Sequence, residues 1–273
     1  MSARPWVLVT GGARRLGRAV ALAAAARGWN VALHHHTSRD DAALVAAEII
    51  VLGGSEVRVE ASLKDAAGKV VAQAAERAGA PMLALVNCAA IFEHDLVESF
   101  TPERAARHMQ VNAFAPVTLA QTLAQQLPEG ATGAVVNFLD FKLAQPYPDH
   151  LSYTLSKYAL AGATELLARA LAPRVRVNAV APGYVLPAPG QPEADFARLH
   201  AETPLERGVT AEDVAAAALY LLEALLFLTT HKILFLFCSW RAVSCRHACS
   251  HWPSPERTRR GHEPLGPLRT RGA

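Results

Sequence analysis

Tyr153 and Lys157 stand four residues apart, and Asp140 lies thirteen residues before the tyrosine. If residues 152–171 form a helix, positions i and i+4 project from one face one turn apart, so an ammonium stands beside a phenol. A tyrosine hydroxyl titrates near pH ~10, and a fixed positive charge beside it favours the phenolate and brings proton exchange nearer neutrality. That is general acid chemistry suited to a carbonyl or an imine. The same spacing is common on ordinary helix surfaces, so the pair takes its meaning from its surroundings.

Those surroundings begin with Trp6-Val7-Leu8-Val9, a short apolar run of buried-strand type ending in Thr10-Gly11-Gly12-Ala13-Arg14-Arg15-Leu16-Gly17. An alanine-rich stretch, Arg18 to Arg27, then reads as helix. Strand, glycine turn and helix in that order build a dinucleotide site: glycines allow close backbone approach, and helix amides with the positive dipole end face a pyrophosphate. The spacing here runs Gly-x-x-x-x-x-Gly with an extra Gly12, so the Gly-x-Gly-x-x-Gly form is not met. Apolar strand candidates follow at Val31 to Leu33, Val57 to Val59, Leu83 to Val86, Ala134 to Phe138 and Val175 to Val180, with helical segments between them. This alternation predicts an α/β fold with a doubly wound parallel sheet of Rossmann type, helices on both faces and ligand at the carboxyl ends of the strands. One such domain is expected over residues 1–223.

The end of the second strand bears on cofactor choice, because an acidic residue there would accept the adenosine ribose hydroxyls of NAD. Here the chain runs Leu33-His34-His35-His36-Thr37-Ser38-Arg39, with no carboxylate until Asp40. With Arg15, Ser38 and either Arg39 or His36 available, a 2'-phosphate is welcome and NADP(H) is favoured. Three adjacent histidines alternate sides in an extended chain and lack the paired helical spacing of zinc sites, so no metal is expected.

Together these residues resemble the short-chain dehydrogenase/reductase family. The resemblance covers roughly residues 5–222 and rests on the glycine turn, Asn87-Cys88-Ala89-Ala90, Asn112, Tyr153-Thr154-Leu155-Ser156-Lys157 and Pro182-Gly183 in that order. It implies that Tyr153 is the general acid and that Lys157 binds the nicotinamide ribose while lowering the tyrosine's pKa. It also implies that Asn112 holds a water in a proton relay. Gly11, Arg15, Leu16, Gly17, His36, Ser38, Ser62, Leu63, Asn87, Ala89, Pro182, Gly183 and Val185 would contact the cofactor. Ser62 stands where relatives usually place an aspartate for the adenine amino group, and serine can accept that bond too.

Most relatives carry a serine where Asp140 stands, orienting a substrate carbonyl. An aspartate there, with Arg15 in the turn and the His-x-His-x-Ser run, is similar to the pteridine reductase and dihydromonapterin reductase branch. In that branch the aspartate helps the tyrosine protonate a pterin nitrogen and an aromatic residue, matched by Phe92, stacks on the pterin. The substrate contacts so implied are Phe92, Asp140, Tyr153 and Arg15. Two other functions stay open on the sequence: a reductase of ketones or 3-oxoacyl thioesters, and a catalytically idle NADP(H)-binding protein.

Composition changes after Glu223. Residues 224–273 hold 8 Lys and Arg against 2 Asp and Glu, a net +6, whereas residues 1–223 hold 19 against 22, a net −3. The expected final strand with its Asp-Gly-Gly segment is missing or replaced, with Ile233 to Phe237 as the substitute and a basic, partly disordered tail beyond. A shifted reading frame would produce this change, and translating the coding DNA in its other frames tests the idea: no Asp-Gly-Gly-encoding frame after codon 223 counts against it. Cys238, Cys245, Cys249, His247 and His251 form no zinc-type spacing. The apolar run Leu219 to Trp240 is interrupted by Glu223, His231 and Lys232, which speaks against a membrane span. The expectation is a cytoplasmic homo-oligomer acting on a small molecule, with no nucleic-acid or membrane partner.

Overall fold

The structure, a computed structural model, describes residues 4–187, 190–203 and 207–224, together with the backbone of 233–236. Five strands alternate with helices in the first part of the chain: β1 (Trp6–Thr10), α1 (Arg15–Ala26), β2 (Asn30–His35), α2 (Arg39–Val51), β3 (Glu56–Glu60), α3 (Leu63–Ala78), β4 (Met82–Asn87), α4 (Pro102–Met109), α5 (Ala115–Gln126) and β5 (Gly133–Phe138). The chain continues with α6 (Leu151–Leu171), β6 (Val175–Pro182), α7 (Glu193–Ala201), α8 (Ala211–Glu223) and β7 (Ile233–Leu236). The sheet order is β3-β2-β1-β4-β5-β6-β7, with parallel pairing at every junction.

The central strands read as unbroken apolar runs because both of their faces are covered, the expected signature of parallel sheets. In β1 all five residues are buried, and alternate ones serve opposite cores. Val7 and Val9 pack with Val20, Ala24, Val214 and Leu219 on the side of α1 and α8. Trp6 and Leu8 pack with Val70, Leu119, Leu123 and Ala168 on the side of α3, α5 and α6. The reversal of strand order lies between β1 and β4, so the crevice between their carboxyl ends is where a ligand of this fold enters.

The expected α/β architecture is therefore the observed one, and a strand does take the final place. β7 pairs with β6 in the register Ala179↔Ile233 to Pro182↔Leu236, although no Asp-Gly-Gly segment follows it. The basic tail, its cysteines and its histidines lie outside the described residues. Among the described residues, no helix is long and apolar enough to cross a membrane.

Between α4 and α5 the helix loosens into a π turn over Gln110–Phe114. Pro116 has no N–H to return to the Asn112 carbonyl four residues back, which gives the ladder a reason to slip at that point.

Candidate active site

The glycine turn is closed by contacts that a side chain would break. Gly11 is left-handed at φ 64°, and a Cβ on it would lie 3.0 Å from Ala89 Cα. A Cβ on Gly17 would come within 2.1 Å of the Gly11 carbonyl oxygen, a contact no backbone accommodates. The Thr10 hydroxyl accepts from the amides of Cys88 (3.0 Å) and Ala89 (3.1 Å), binding the end of β1 to the segment after β4. Helix α1 begins with no side-chain cap and no acidic residue in its first turn, so its positive end is not neutralised from within. Arg15 opens that helix at φ 52°, a conformation costing a non-glycine residue about 1 kcal/mol or more. Its Nη2 donates to the Leu186 carbonyl at 3.4 Å, which spans the crevice from α1 to the segment after β6.

His34, to which the sequence assigns no contact beyond its place in the His-x-His-x-Ser run, proves central to the turn. It is buried at the end of β2, where Nδ1 accepts from the Gly11 amide at 3.2 Å and Nε2 donates to the Ala61 carbonyl at 3.1 Å. Burial, aided by the charges of His35 and His36 when protonated, pushes its pKa down to about 4, so the imidazole stays neutral and keeps this tautomer. His36 and Arg39 are exposed and Ser38 is half-buried beside them. Arg39, one of the candidates for a phosphate contact, is paired with Glu60 at 2.7 Å across the ends of β2 and β3. The Ser62 hydroxyl donates to Asp65 at 2.8 Å and so keeps its lone pairs for a ligand, with Leu63 buried behind it. Leu16, Cys88 and Val185 pack on the same core as Val9, and Pro182 ends β6 with Gly183 following it.

The second half of the site gathers at the ends of β4 and β5 and the start of α6. Tyr153 Oη donates to Asp140 Oδ2 at 2.7 Å, and Asp140 Oδ1 accepts from the Lys142 amide at 2.9 Å. Lys157 Nζ donates to the Phe138 carbonyl at 2.6 Å and lies 5.5 Å from the Tyr153 ring centre. Tyr153 and Lys157 are 6% and 3% exposed, and that burial changes the expected electrostatics. Burial first, then the Asp140 carboxylate and its hydrogen bond, hold the Tyr153 phenol well above its ordinary value. Burial draws Lys157 down to about 8, partly offset by Asp140. Against the expectation that Lys157 lowers the tyrosine pKa, burial and then the Asp140 carboxylate set the net direction upward, while the Lys157 ammonium turns toward a backbone carbonyl. Cys88, beside them, has its thiol pushed up to about 12 by burial and stays neutral.

Asn112 is wholly buried in the π turn. Its Oδ1 accepts from the Ile91 amide at 2.9 Å, and its Nδ2 donates to the Ile91 carbonyl and to Ser156 Oγ, both at 3.0 Å. With both amide hydrogens committed, this side chain fixes the segment after β4. Asn87 Nδ2 donates to Asn137 Oδ1 at 2.9 Å, and Asn137 passes the chain on to Thr164 at 2.9 Å. The Asn87 Oδ1 atom is buried without a partner, an acceptor waiting at the carboxyl end of β4. Phe92 is exposed, stacks on His150 (4.0 Å, 13°) and meets the Tyr153 ring edge-on at 4.7 Å.

The family model for enoyl-(acyl carrier protein) reductase matches residues 11–236, from the glycine turn through β7. The chain belongs to the short-chain dehydrogenase/reductase family. A crystal structure of FolM alternative dihydrofolate reductase 1 from Brucella canis, complexed with NADP, shares 37% identity at a TM-score of 0.83, covering 90% of this chain and 98% of that one. Pteridine reductase 1 of Leishmania tarentolae is 30% identical over 264 residues, 80% of this chain and 89% of its own. The 3-oxoacyl-[acyl-carrier-protein] reductase FabG of Staphylococcus epidermidis is 30% identical over 182 residues, 66% and 74% of the two chains. This short-chain oxidoreductase therefore stands near reductases of more than one substrate class.

Two further residues of this short-chain reductase carried no signal in the sequence. Tyr184, just past Pro182-Gly183, sits against Phe141 with ring centres 4.9 Å apart. Burial, followed by Tyr147, Asp149 and Asp140, raises its phenol. Asp95 is wholly buried at the start of α6. Neither has a fixed spacing to Tyr153 that a pattern could detect, because each arrives from a separate loop.

Proposed function

We propose that this chain is an NADPH-dependent reductase of a pterin C=N, with Tyr153 as proton donor, Asp140 as its partner and Lys157 as the cation beside it. The observation that carries the reading is the 2.7 Å bond between Tyr153 and Asp140, set beside the exposed ring of Phe92. The raised pKa keeps the Tyr153 phenol loaded with its proton at neutral pH. The proton passes from Tyr153 Oη to a ring nitrogen, and the Lys157 ammonium stabilises the charge left behind. A carboxylate accepts hydrogen bonds and does not donate them, so Asp140 suits an N–H of the substrate and serves a ketone oxygen poorly. Phe92 offers a face on which a planar heterocycle stacks.

The residues present fit a nicotinamide dinucleotide phosphate. The Gly11 and Gly17 approach leaves backbone where a Cβ would intrude, the uncapped start of α1 suits a pyrophosphate, and Asn87 Oδ1 has an acceptor to offer. Arg15, His36 and Ser38 would hold a 2'-phosphate, there being no carboxylate at the end of β2. Ser62 and Leu63 would hold the adenine; Leu16, Ala89, Pro182, Gly183 and Val185 would line the remainder. The NADP named for the Brucella canis structure supports the same choice. When bound, the cofactor supplies the hydride.

The likeness to FabG favours a second reading, reduction of a 3-oxoacyl thioester. Loss of NADPH absorbance with a dihydropterin, set against acetoacetyl thioester, separates the two. Turnover confined to the thioester overturns the pterin reading, and NADPH binding without turnover on either marks a protein that only binds cofactor.

A further inference from the structure

Helix α6 carries both Tyr153 and Lys157, yet its first turn is not capped by its own sequence. His150, at the N-cap position, is left-handed at φ 51° and gives no side-chain cap. Its ring lies on Phe92 instead, and its Nδ1 donates to the Glu93 carbonyl at 2.9 Å. The cap comes from Asp95, 57 residues upstream of Ser152 and 0% exposed. Ser152 N–H lies 3.1 Å and 3.2 Å from its two carboxylate oxygens, the Ser152 hydroxyl donates to Oδ2 at 2.5 Å, and the Leu151 amide donates to the Asp95 carbonyl at 3.3 Å.

A buried carboxylate is costly unless it is compensated, and here a helix N-terminus, an amide and a hydroxyl provide the compensation. The reverse dependence is the informative one. Leu151, Ser152 and Tyr153 are the first three residues of α6, and the amides that open a helix have no partner within it. Without Asp95, two buried donors lose their acceptor next to Tyr153, and the turn that aims Oη at Asp140 is free to fray.

The same loop is fastened to the tyrosine helix along its whole length. Ile91 is held through Asn112, which also bonds Ser156, whose hydroxyl donates to the Tyr153 carbonyl at 2.6 Å. Glu93 is held through His150, and Asp95 through Ser152. The aromatic wall at Phe92 and the proton donor at Tyr153 are therefore placed by one set of bonds, to which Asp95 contributes through its carboxylate.

We propose that Asp95 is a positioning residue for the reaction: it holds the first turn of α6 so that Tyr153 meets Asp140 and the substrate at the same time. The inference rests on Tyr153 being the proton donor, so Tyr153→Phe is measured alongside. In the full-length protein with NADPH and a dihydropterin, Asp95→Ala lowers kcat per bound NADPH by about 10²-fold, the scale on which an ångström of misplacement acts, with NADPH Kd within about twofold. Asp95→Asn recovers most of that loss, because its Oδ1 still accepts from the Ser152 amide and its Nδ2 can donate to the Ser152 hydroxyl. A residue that only stabilised the fold would lower the melting temperature and leave kcat per bound NADPH unchanged. The inference is overturned by kcat per bound NADPH within about twofold of the parent in Asp95→Ala or, if that variant does not fold, in Ser152→Ala. Full turnover in Tyr153→Phe sinks the proton-donor reading itself, whereas loss in Tyr153→Phe with none in Asp95→Ala sinks only the positioning role.

Discussion

His34 makes the glycine turn sensitive to acid, and the size of the effect follows from its environment. The unfolded chain takes up this proton near pH 6.5, whereas the buried imidazole takes it up only near about 4. Stability from this group is therefore full above pH 6.5 and declines as pH falls through the window between the two values. Linkage over that interval gives a loss of about 2 kcal/mol between pH 7 and pH 5, rising to roughly 3 kcal/mol at the acid end. Protonation also puts an N–H at Nδ1 opposite the Gly11 N–H, so the bond that shapes the turn is lost with the same titration. The assay is urea unfolding at pH 7 and pH 5, in parent and His34→Asn, with NADPH affinity measured at both. Asn keeps an acceptor for Gly11 and cannot titrate, so its stability difference between the two pH values should be smaller than the parent's by about 2 kcal/mol. An equal acid loss in both proteins would refute the assignment and put the lability on other groups.

Gly17→Ala places a methyl 2.1 Å from a backbone oxygen, and NADPH Kd should rise by about tenfold or more, as titrated by fluorescence. Phe92→Ala should raise KM for a dihydropterin by about 10-fold, the scale of one lost stacking contact, with NADPH affinity unchanged; an unaltered KM would remove Phe92 from the substrate site. For Lys157, drawn down to about 8, kcat/KM should fall as pH rises through that value because the neutral amine no longer balances the tyrosine's charge. A profile flat well past that pH would contradict this.

Much of the fold was legible because its strands are buried on both faces, so that Trp6 to Val9 and Leu83 to Val86 stand out as apolar runs between alanine-rich helices. Tyr153, Lys157 and Asp140 were legible for a different reason: a helix and the loop before it fix their separation in sequence. His34, Asp95 and Tyr184 were not, because their partners are remote, with Asp95 bonded to Ser152 across 57 residues and His34 to Gly11 across 23. The direction of the Tyr153 shift was also hidden, since spacing shows that Lys157 is near but not that its ammonium turns to the Phe138 carbonyl while Asp140 takes the phenol. The Glu60 partner of Arg39 was hidden in the same way, since it arrives from a neighbouring strand 21 residues on.

The pairing of Tyr153 with a carboxylate in place of a hydroxyl is the feature on which the proposed substrate depends. The most direct measurement is kcat/KM for a dihydropterin and for acetoacetyl thioester in the parent and in Asp140→Ser, with NADPH saturating. The parent should prefer the dihydropterin and the variant should lose that preference by about 10²-fold, since a serine hydroxyl can donate to a carbonyl oxygen and a carboxylate cannot. A parent that reduces only the thioester, or a preference untouched by Asp140→Ser, would contradict the pterin reading.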